Sequence, residues 1–207
     1  MFSVLYQDES IIAIDKPEKW LVHRSDIDKY ETRFVVQTLR DQIKQHVYPV
    51  HRLDKPTSGV LVFALNAEVA ANISALFRDH KVDKTYTLLV RGWSPDEGEI
   101  DHALSIKSEF KHRKEKDKAK PPQEALTRYK TRKRYELPVA VDRYPKSRYS
   151  LVEAYPHTGR KHQLRRHFKH IAHPIIGDPK HGKSLHNHYF AEYLDADRLL
   201  LHCSRMA

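Results

Sequence analysis

The sequence predicts an α+β domain, on three observations. Its size and apolar content suit one buried core, short runs of strand period are mixed with longer runs of helical period, and the two kinds do not alternate as a regular repeat. With 207 residues, 40% of them hydrophobic, the chain can bury one core, so a single domain over residues 1–207 is expected. Residues 2–6 and 10–15 are short apolar runs separated by Gln7-Asp8-Glu9, the pattern of a hairpin, and Asp15-Lys16-Pro17 ends the second. Residues 31–46 place Phe34, Val35, Leu39 and Ile43 at helical spacing ahead of Pro49, which predicts a helix. Residues 58–65 form a nearly continuous apolar run of strand length, and Asn66 then stands where a helix N-cap belongs, with a helix over residues 67–78. Residues 82–93 set Tyr86, Leu88 and Val90 on one face against Thr85, Thr87 and Leu89 on the other, a strand. A further strand is expected over residues 148–155 and, after the turn His157-Thr158-Gly159, a helix over residues 160–170 whose Arg160, Lys161, Arg165, Arg166 and Lys169 make it too basic to be core.

Composition narrows the function classes. No run of about eighteen apolar residues is present to span a bilayer, and the N-terminus lacks a basic region followed by an apolar one. The single cysteine, Cys203, forms no internal disulfide and fits a reducing cytoplasm. Lys and Arg number 37 against 27 Asp and Glu, a formal charge of +10 that attracts polyanions. Residues 111–120 (KHRKEKDKAK), followed by Pro121-Pro122, have almost nothing apolar to pack and read as a surface loop, solvated or in contact with RNA phosphate. Arg128, Lys130, Arg132, Lys133 and Arg134 continue the basic character around Tyr129 and Tyr135.

Two patterns are set aside. Gly177-Asp178-Pro179-Lys180-His181-Gly182-Lys183-Ser184 matches the spacing of a phosphate-binding loop, yet only 23 residues follow it and Pro179 removes a backbone donor. The histidines His162, His167, His170, His173, His181, His186 and His188 invite a metal reading, but no carboxylate or cysteine is interleaved among the first of them and Arg160, Lys161, Arg165 and Arg166 repel a cation. They are expected to support the fold or touch RNA, and no metal is expected.

The stretch His51-Arg52-Leu53-Asp54-Lys55-Pro56-Thr57-Ser58-Gly59 carries the chemistry. Alone, Asp54 reads as a turn or cap aspartate. The whole stretch resembles the H-R-L-D-x-x-T-S-G signature of the RluA-type pseudouridine synthases. The resemblance extends in family order through Asp15-Lys16-Pro17 with His23, Lys84-Thr85-Tyr86, Thr158-Gly159-Arg160-Lys161-His162-Gln163-Leu164-Arg165, His173-Pro174-Ile175-Ile176-Gly177-Asp178 and Leu201-His202. Trp20-Leu21-Val22-His23-Arg24-Ser25, Arg40-Asp41-Gln42-Ile43 and Arg166-His167 resemble most the branch that acts on uridine 65, in the acceptor and T-stem region of tRNA.

The resemblance implies a catalytic domain with a mixed, largely antiparallel sheet flanked by helices and loops. It implies that Asp54 is the essential carboxylate, that Arg165 pairs with it and keeps it ionised, and that Tyr86 packs on the target base. Arg52, with His51, is the candidate for filling or supporting the gap left by the extruded uridine; Arg160, Lys161, Arg166 and Lys169 are candidate phosphate contacts. Thr57 and Ser58 shape the turn, and Gly59 lets the backbone pass closely. The reaction breaks an N-glycosidic bond, turns the base and rejoins it through carbon, with no exchange of electrons or phosphate, so no cofactor is expected. A monomer with an RNA partner, no membrane and no nucleotide cofactor is the expectation. Family members continue past Leu201-His202-Cys203-Ser204-Arg205-Met206-Ala207 into at least one more strand, so the domain is expected to lack the usual C-terminal strand or strands; no preceding small RNA-binding domain is expected, which favours tRNA. A synthase for ribosomal RNA, and a non-catalytic RNA-binding protein of the same fold, are the alternatives.

Overall fold

The computed structural model describes residues 1–23, 32–105 and 121–207; the basic segment 111–120, Arg24, Ser25 and Glu31 lie outside them. The described residues form nine strands and four helices in two compact units, one of Met1–Asp83 with His202–Ala207 and one of Lys84–Leu201.

The first unit begins with the predicted hairpin. Strands β1 (Ser3–Gln7) and β2 (Ile11–Lys16) pair antiparallel, and Asp8 closes the turn by accepting from the Ser10 and Ile11 amides at 2.7 and 2.8 Å. The alternation in β2 buries Ile12 and Ile14 completely. Next to β2 lies β4 (Ser58–Ala64), antiparallel, with Ile11 opposite Ala64 and Lys16 opposite Gly59. The two-residue β3 (Tyr48–Pro49) pairs with the far end of β4, and β9 (Leu201–Met206) runs parallel to its start, setting Ser58 opposite His202 and Gly59 opposite Cys203. Gly59 has φ +111°, and a Cβ on it would strike the Cys203 backbone; only glycine fits that approach.

Helix α1 (Val35–Ile43) is shorter than its apolar spacing predicts. The Leu21 and Val22 carbonyls accept from the Val35 and Val36 amides at 2.9 and 3.0 Å, fixing the start, while Lys44 turns left-handed (φ 55°) and ends it. Helix α2 (Ala67–Arg78) has the predicted bounds, capped by Asn66 Oδ1 accepting from the Val69 amide at 2.9 Å.

In the second unit β5 (Lys84–Arg91), β8 (Ser147–Pro156), β7 (Leu126–Leu137) and β6 (Glu97–Asp101) lie side by side in that order, every pair antiparallel. One face carries a core of Leu88, Val90, Ile100, Tyr129, Val152 and Ala154. Helix α3 (Gln163–His170) packs Leu164 and Phe168 onto that core, which corrects the expectation that this segment is too basic to be buried. Gln163, Arg165 and His167 are buried beside the two apolar residues, because each finds a hydrogen-bonding partner that removes the cost of desolvation. The helix also starts later than predicted, since His162 sits left-handed at φ 54°. Leu89, Tyr149, Ile176 and Phe190 form a second cluster, to which α4 (Ser184–Tyr193), unread in the sequence, contributes Phe190.

Strand β7 (Leu126–Leu137) contains the basic stretch 128–134, and its arginines and Lys130 are laddered against acids. Arg128 pairs with Glu99 at 2.8 Å and Arg134 with Asp96 at 2.7 Å, Arg132 binds Glu153, and Lys130 lies opposite both Glu97 and Glu153. Among the described residues no helix is long and apolar enough to cross a membrane.

Candidate active site

In the first unit the signature forms the turn that leads into β4. Leu53 is buried and anchors one side; Thr57, Ser58 and Gly59 are buried on the other. Between them the chain reverses, with the Thr57 amide donating to the Asp54 carbonyl at 3.0 Å. Asp54 is half-buried and Arg52 beside it is exposed. The reversal stands on Lys16, whose side chain is fully buried. Its ammonium donates to the carbonyls of Pro17, Lys55 and Thr57 at 2.8, 3.2 and 2.7 Å, so one cation gathers the dipoles of the turn that follows Asp54 and of the Asp15-Lys16-Pro17 motif. The sequence contained the signal, a lysine at the end of an apolar strand, without its role.

Two more residues hold the turn from behind. Ser58 Oγ and His202 Nδ1 are 2.8 Å apart, joining the start of β4 to β9. His51 accepts from the Val62 amide at 2.9 Å through Nε2 and stacks on Phe77, ring centroids 4.7 Å apart and 21° between planes. Desolvation, with the Arg52 charge, pushes the pKa of His23 below its ordinary value.

In the second unit Tyr86 opens β5, half-buried and packed against the core, opposite Ala154, which in turn faces Tyr129 of β7. Arg165 lies on α3 with only 4% of its surface exposed. Its Nε and Nη2 donate to the two oxygens of Asp178 at 2.7 and 2.9 Å, a bidentate fork that fixes the plane of the guanidinium. Burial works to raise the Asp178 pKa; the Arg165 hydrogen bonds and charge, with the His181 and Lys180 amides, outweigh it and hold the carboxyl below its usual range. Of the candidate phosphate contacts, Arg160 donates through Nε to the Glu124 carbonyl at 3.0 Å, Arg166 reaches the Ser105 carbonyl and hydroxyl at 3.0 and 3.2 Å, and Lys161 and Lys169 are exposed.

The loop that mimics a phosphate-binding motif turns its amides inward. Lys180 and His181 N–H donate to Asp178 Oδ1 and Gly182 N–H to the Asp178 carbonyl, so these three donors are taken up by Asp178 itself. The histidines act as hydrogen-bonding members of the fold. His186 accepts from Arg91 Nε at 3.2 Å and meets Tyr149 Oη at 2.9 Å, His162 and His181 are 3.0 Å apart, and His173 bonds the Arg91 carbonyl. Among the described residues no group of three or more His, Cys, Asp or Glu is placed to hold a metal ion.

The mixed and largely antiparallel sheet sets the fold, and the comparisons with known proteins set the class. The sequence profile described as RNA pseudouridylate synthase matches residues 10–170, and the chain belongs to that family: it is an isomerase whose substrate is RNA. It is 52% identical over 206 residues to tRNA pseudouridine synthase C of Vibrio vulnificus (strain CMCP6), an alignment covering 100% of this chain and 84% of that one. It is 50% identical over 203 residues to tRNA pseudouridine synthase C of Pasteurella multocida (strain Pm70), covering 98% and 84%. Among solved structures, human RNA pseudouridylate synthase domain containing 1 has the same fold, with TM-score 0.75 and 24% identity over 100% of this chain and 78% of that chain.

Proposed function

We propose that the chain is a cytoplasmic tRNA pseudouridine synthase that converts uridine 65, in the acceptor and T-stem region, to pseudouridine, acting as a monomer without a cofactor. The observation that carries the tRNA assignment is identity near 50% across essentially the whole chain to proteins named tRNA pseudouridine synthase C.

In this reading Asp54 is the essential carboxylate. It attacks the anomeric carbon as in a retaining glycosidase, adds to the uracil ring, or removes a sugar proton to give a glycal. Each route uses the ionised form, and Arg165 is the cation that favours it. Tyr86 holds the uracil ring while it turns, and its hydroxyl serves proton transfer at the last step. Arg52, backed by His51, supports the duplex where the uridine has left its stack. Arg160, Lys161 and Arg166 take the backbone phosphates. What supports the placing of Asp54 is the Lys16-braced turn, which holds a carboxylate half-exposed on a rigid base.

The test is a map of pseudouridine in tRNA and ribosomal RNA from cells with and without the gene. Loss of one modification, at position 65 of tRNA, is expected. A change confined to ribosomal RNA would replace the substrate, and no change at any site would leave a non-catalytic RNA-binding protein.

A further inference from the structure

We infer that Asp178 is a positioning residue for the isomerisation: with the loop built around it, Asp178 sets the plane of the Arg165 guanidinium that the reaction uses. The inference rests on the proposed role of Arg165 and goes beyond it, because it gives a purpose to the loop 177–184, whose likeness to a phosphate-binding motif the fold does not use.

The loop is organised around one side chain. Asp178 is 1% exposed and receives four hydrogen bonds on its carboxylate: two from Arg165, at 2.7 and 2.9 Å, and the Lys180 and His181 amides, each at 2.9 Å. Its carbonyl receives the Gly182 amide at 3.0 Å and Asn187 Nδ2 at 2.9 Å, while Asn187 Oδ1 accepts from the Gly177 amide at 2.8 Å. Asn187 belongs to α4, so this latch ties both sides of Asp178 to a helix. Gly177 adopts φ +76°, and a Cβ there would run into the Arg198 backbone; the residue preceding Asp178 has to be glycine for the chain to pass. His181, held by its amide, stands 3.0 Å from His162, the residue that opens α3. The loop therefore grips α3 at its start and again at Arg165, one turn on.

Stability alone does not call for this arrangement. A buried ion pair contributes little net stability, and an apolar pair of the same volume would serve as well. What a bidentate carboxylate gives, and an apolar neighbour cannot, is direction: with the Nε and Nη2 edge docked, Nη1 is aimed along a fixed line. Catalysis by a preorganised cation depends on that aim, and a displacement of about 1 Å costs on the order of 100-fold in rate.

The experiment compares Asp178→Asn, Asp178→Glu, Arg165→Lys and the double variant Asp178→Asn/Arg165→Lys. Each is checked for folding by circular dichroism and assayed by release of tritium from carbon-5-labelled uridine in tRNA transcript. Asp178→Asn keeps an acceptor for the two loop amides and removes the counter-charge. Its kcat is expected to fall about 100-fold, with the Kd for tRNA within about threefold of the parent, and the double variant is expected to be no slower than Arg165→Lys alone. A folded Asp178→Asn protein with parental kcat overturns the inference, as does a further loss in the double variant. If Asp178→Asn does not fold, Asp178→Glu decides: reduced kcat at unchanged Kd supports positioning, and parental kcat overturns it. Failure of both to fold makes Asp178 a structural counter-ion and also overturns the inference. Arg165→Lys with parental kcat would instead sink the assignment of Arg165, a separate result from any of these.

Discussion

At the scale of single residues the chain puts ionisable groups to three different uses. Asp54→Asn keeps the size of the side chain and removes the carboxylate; the protein is expected to bind tRNA with affinity near the parent and to form no pseudouridine. Turnover by Asp54→Asn in the tritium-release assay would remove Asp54 from the essential role. Lys16 is the second case, a fully buried ammonium whose hydrogen bonds go to three carbonyls of the turn and its neighbouring motif. Lys16→Met leaves those carbonyls without their donor at a cost of about 2–4 kcal/mol, so the midpoint of thermal unfolding should fall by about 5–15 °C. A midpoint unchanged within error would show that the turn holds without the lysine.

Two histidines give the third case. Burial lowers both His167 and His181 to about 4. His167 Nε2 faces the His102 carbonyl at 3.1 Å, an acceptor only, so Nε2 carries the proton and Nδ1 accepts from Thr127 Oγ1 at 3.0 Å. Both rings are neutral in the folded protein, while the unfolded chain takes up protons below about pH 6.5. The unfolded state therefore binds more protons between about pH 4 and 6.5, and stability rises with pH across that window. The expected result is a thermal midpoint that drops as pH falls from 6.5 to 4, with a shallower slope in His167→Gln. A flat profile would mean that these rings are solvated.

At the scale of elements, the amphipathic segments were readable and the charged ones were not. The hairpin follows from alternation, β4 from its nearly continuous apolar run and α2 from its apolar period with Asn66 as cap, since all these signals are local. β7 hides its strand period because every exposed position except Tyr135 is cationic, although Thr127 and Tyr129 supply the buried alternates. The sequence of α3 looks too basic for the core because a linear count cannot see that Arg165 meets Asp178 thirteen positions later or that His167 meets Thr127 of β7. Gly59 is the close approach its place in the signature implies, and the strand it passes is β9. Gly59→Ala forces a Cβ into the Cys203 backbone at a positive φ, so a loss of about 3 kcal/mol or more is expected in urea unfolding. A parental midpoint would show that β9 can shift aside.

At the scale of the whole molecule the formal +10 overstates the charge available to RNA. Arg128, Arg132 and Arg134 of β7 are matched by Glu99, Glu153 and Asp96, whereas Arg160 and Arg166 bind backbone carbonyls and Ser105, which are neutral partners. Replacing Arg160 or Arg166 by Gln should lower the slope of log Kd for tRNA against log salt by roughly one each. Arg128→Gln and Arg132→Gln should leave that slope nearly unchanged. Equal effects from both sets would mean that the β7 face also carries phosphate.

The sequence by itself determined the family, through a signature too long to arise by chance, and with it the carboxylate on which the chemistry is proposed to turn. It also determined the local elements whose apolar period is strict, because periodicity and capping act over a few residues. Only the tertiary structure decided what holds the proposed site: that Lys16 braces the turn after Asp54, that Asp178 docks Arg165, and that the phosphate-loop likeness is a clamp with its amides turned inward. These depend on buried polar groups meeting partners far along the chain. The energy that fixes such pairs is the cost of leaving either member unpaired in a dry interior, and a linear pattern carries no record of that cost.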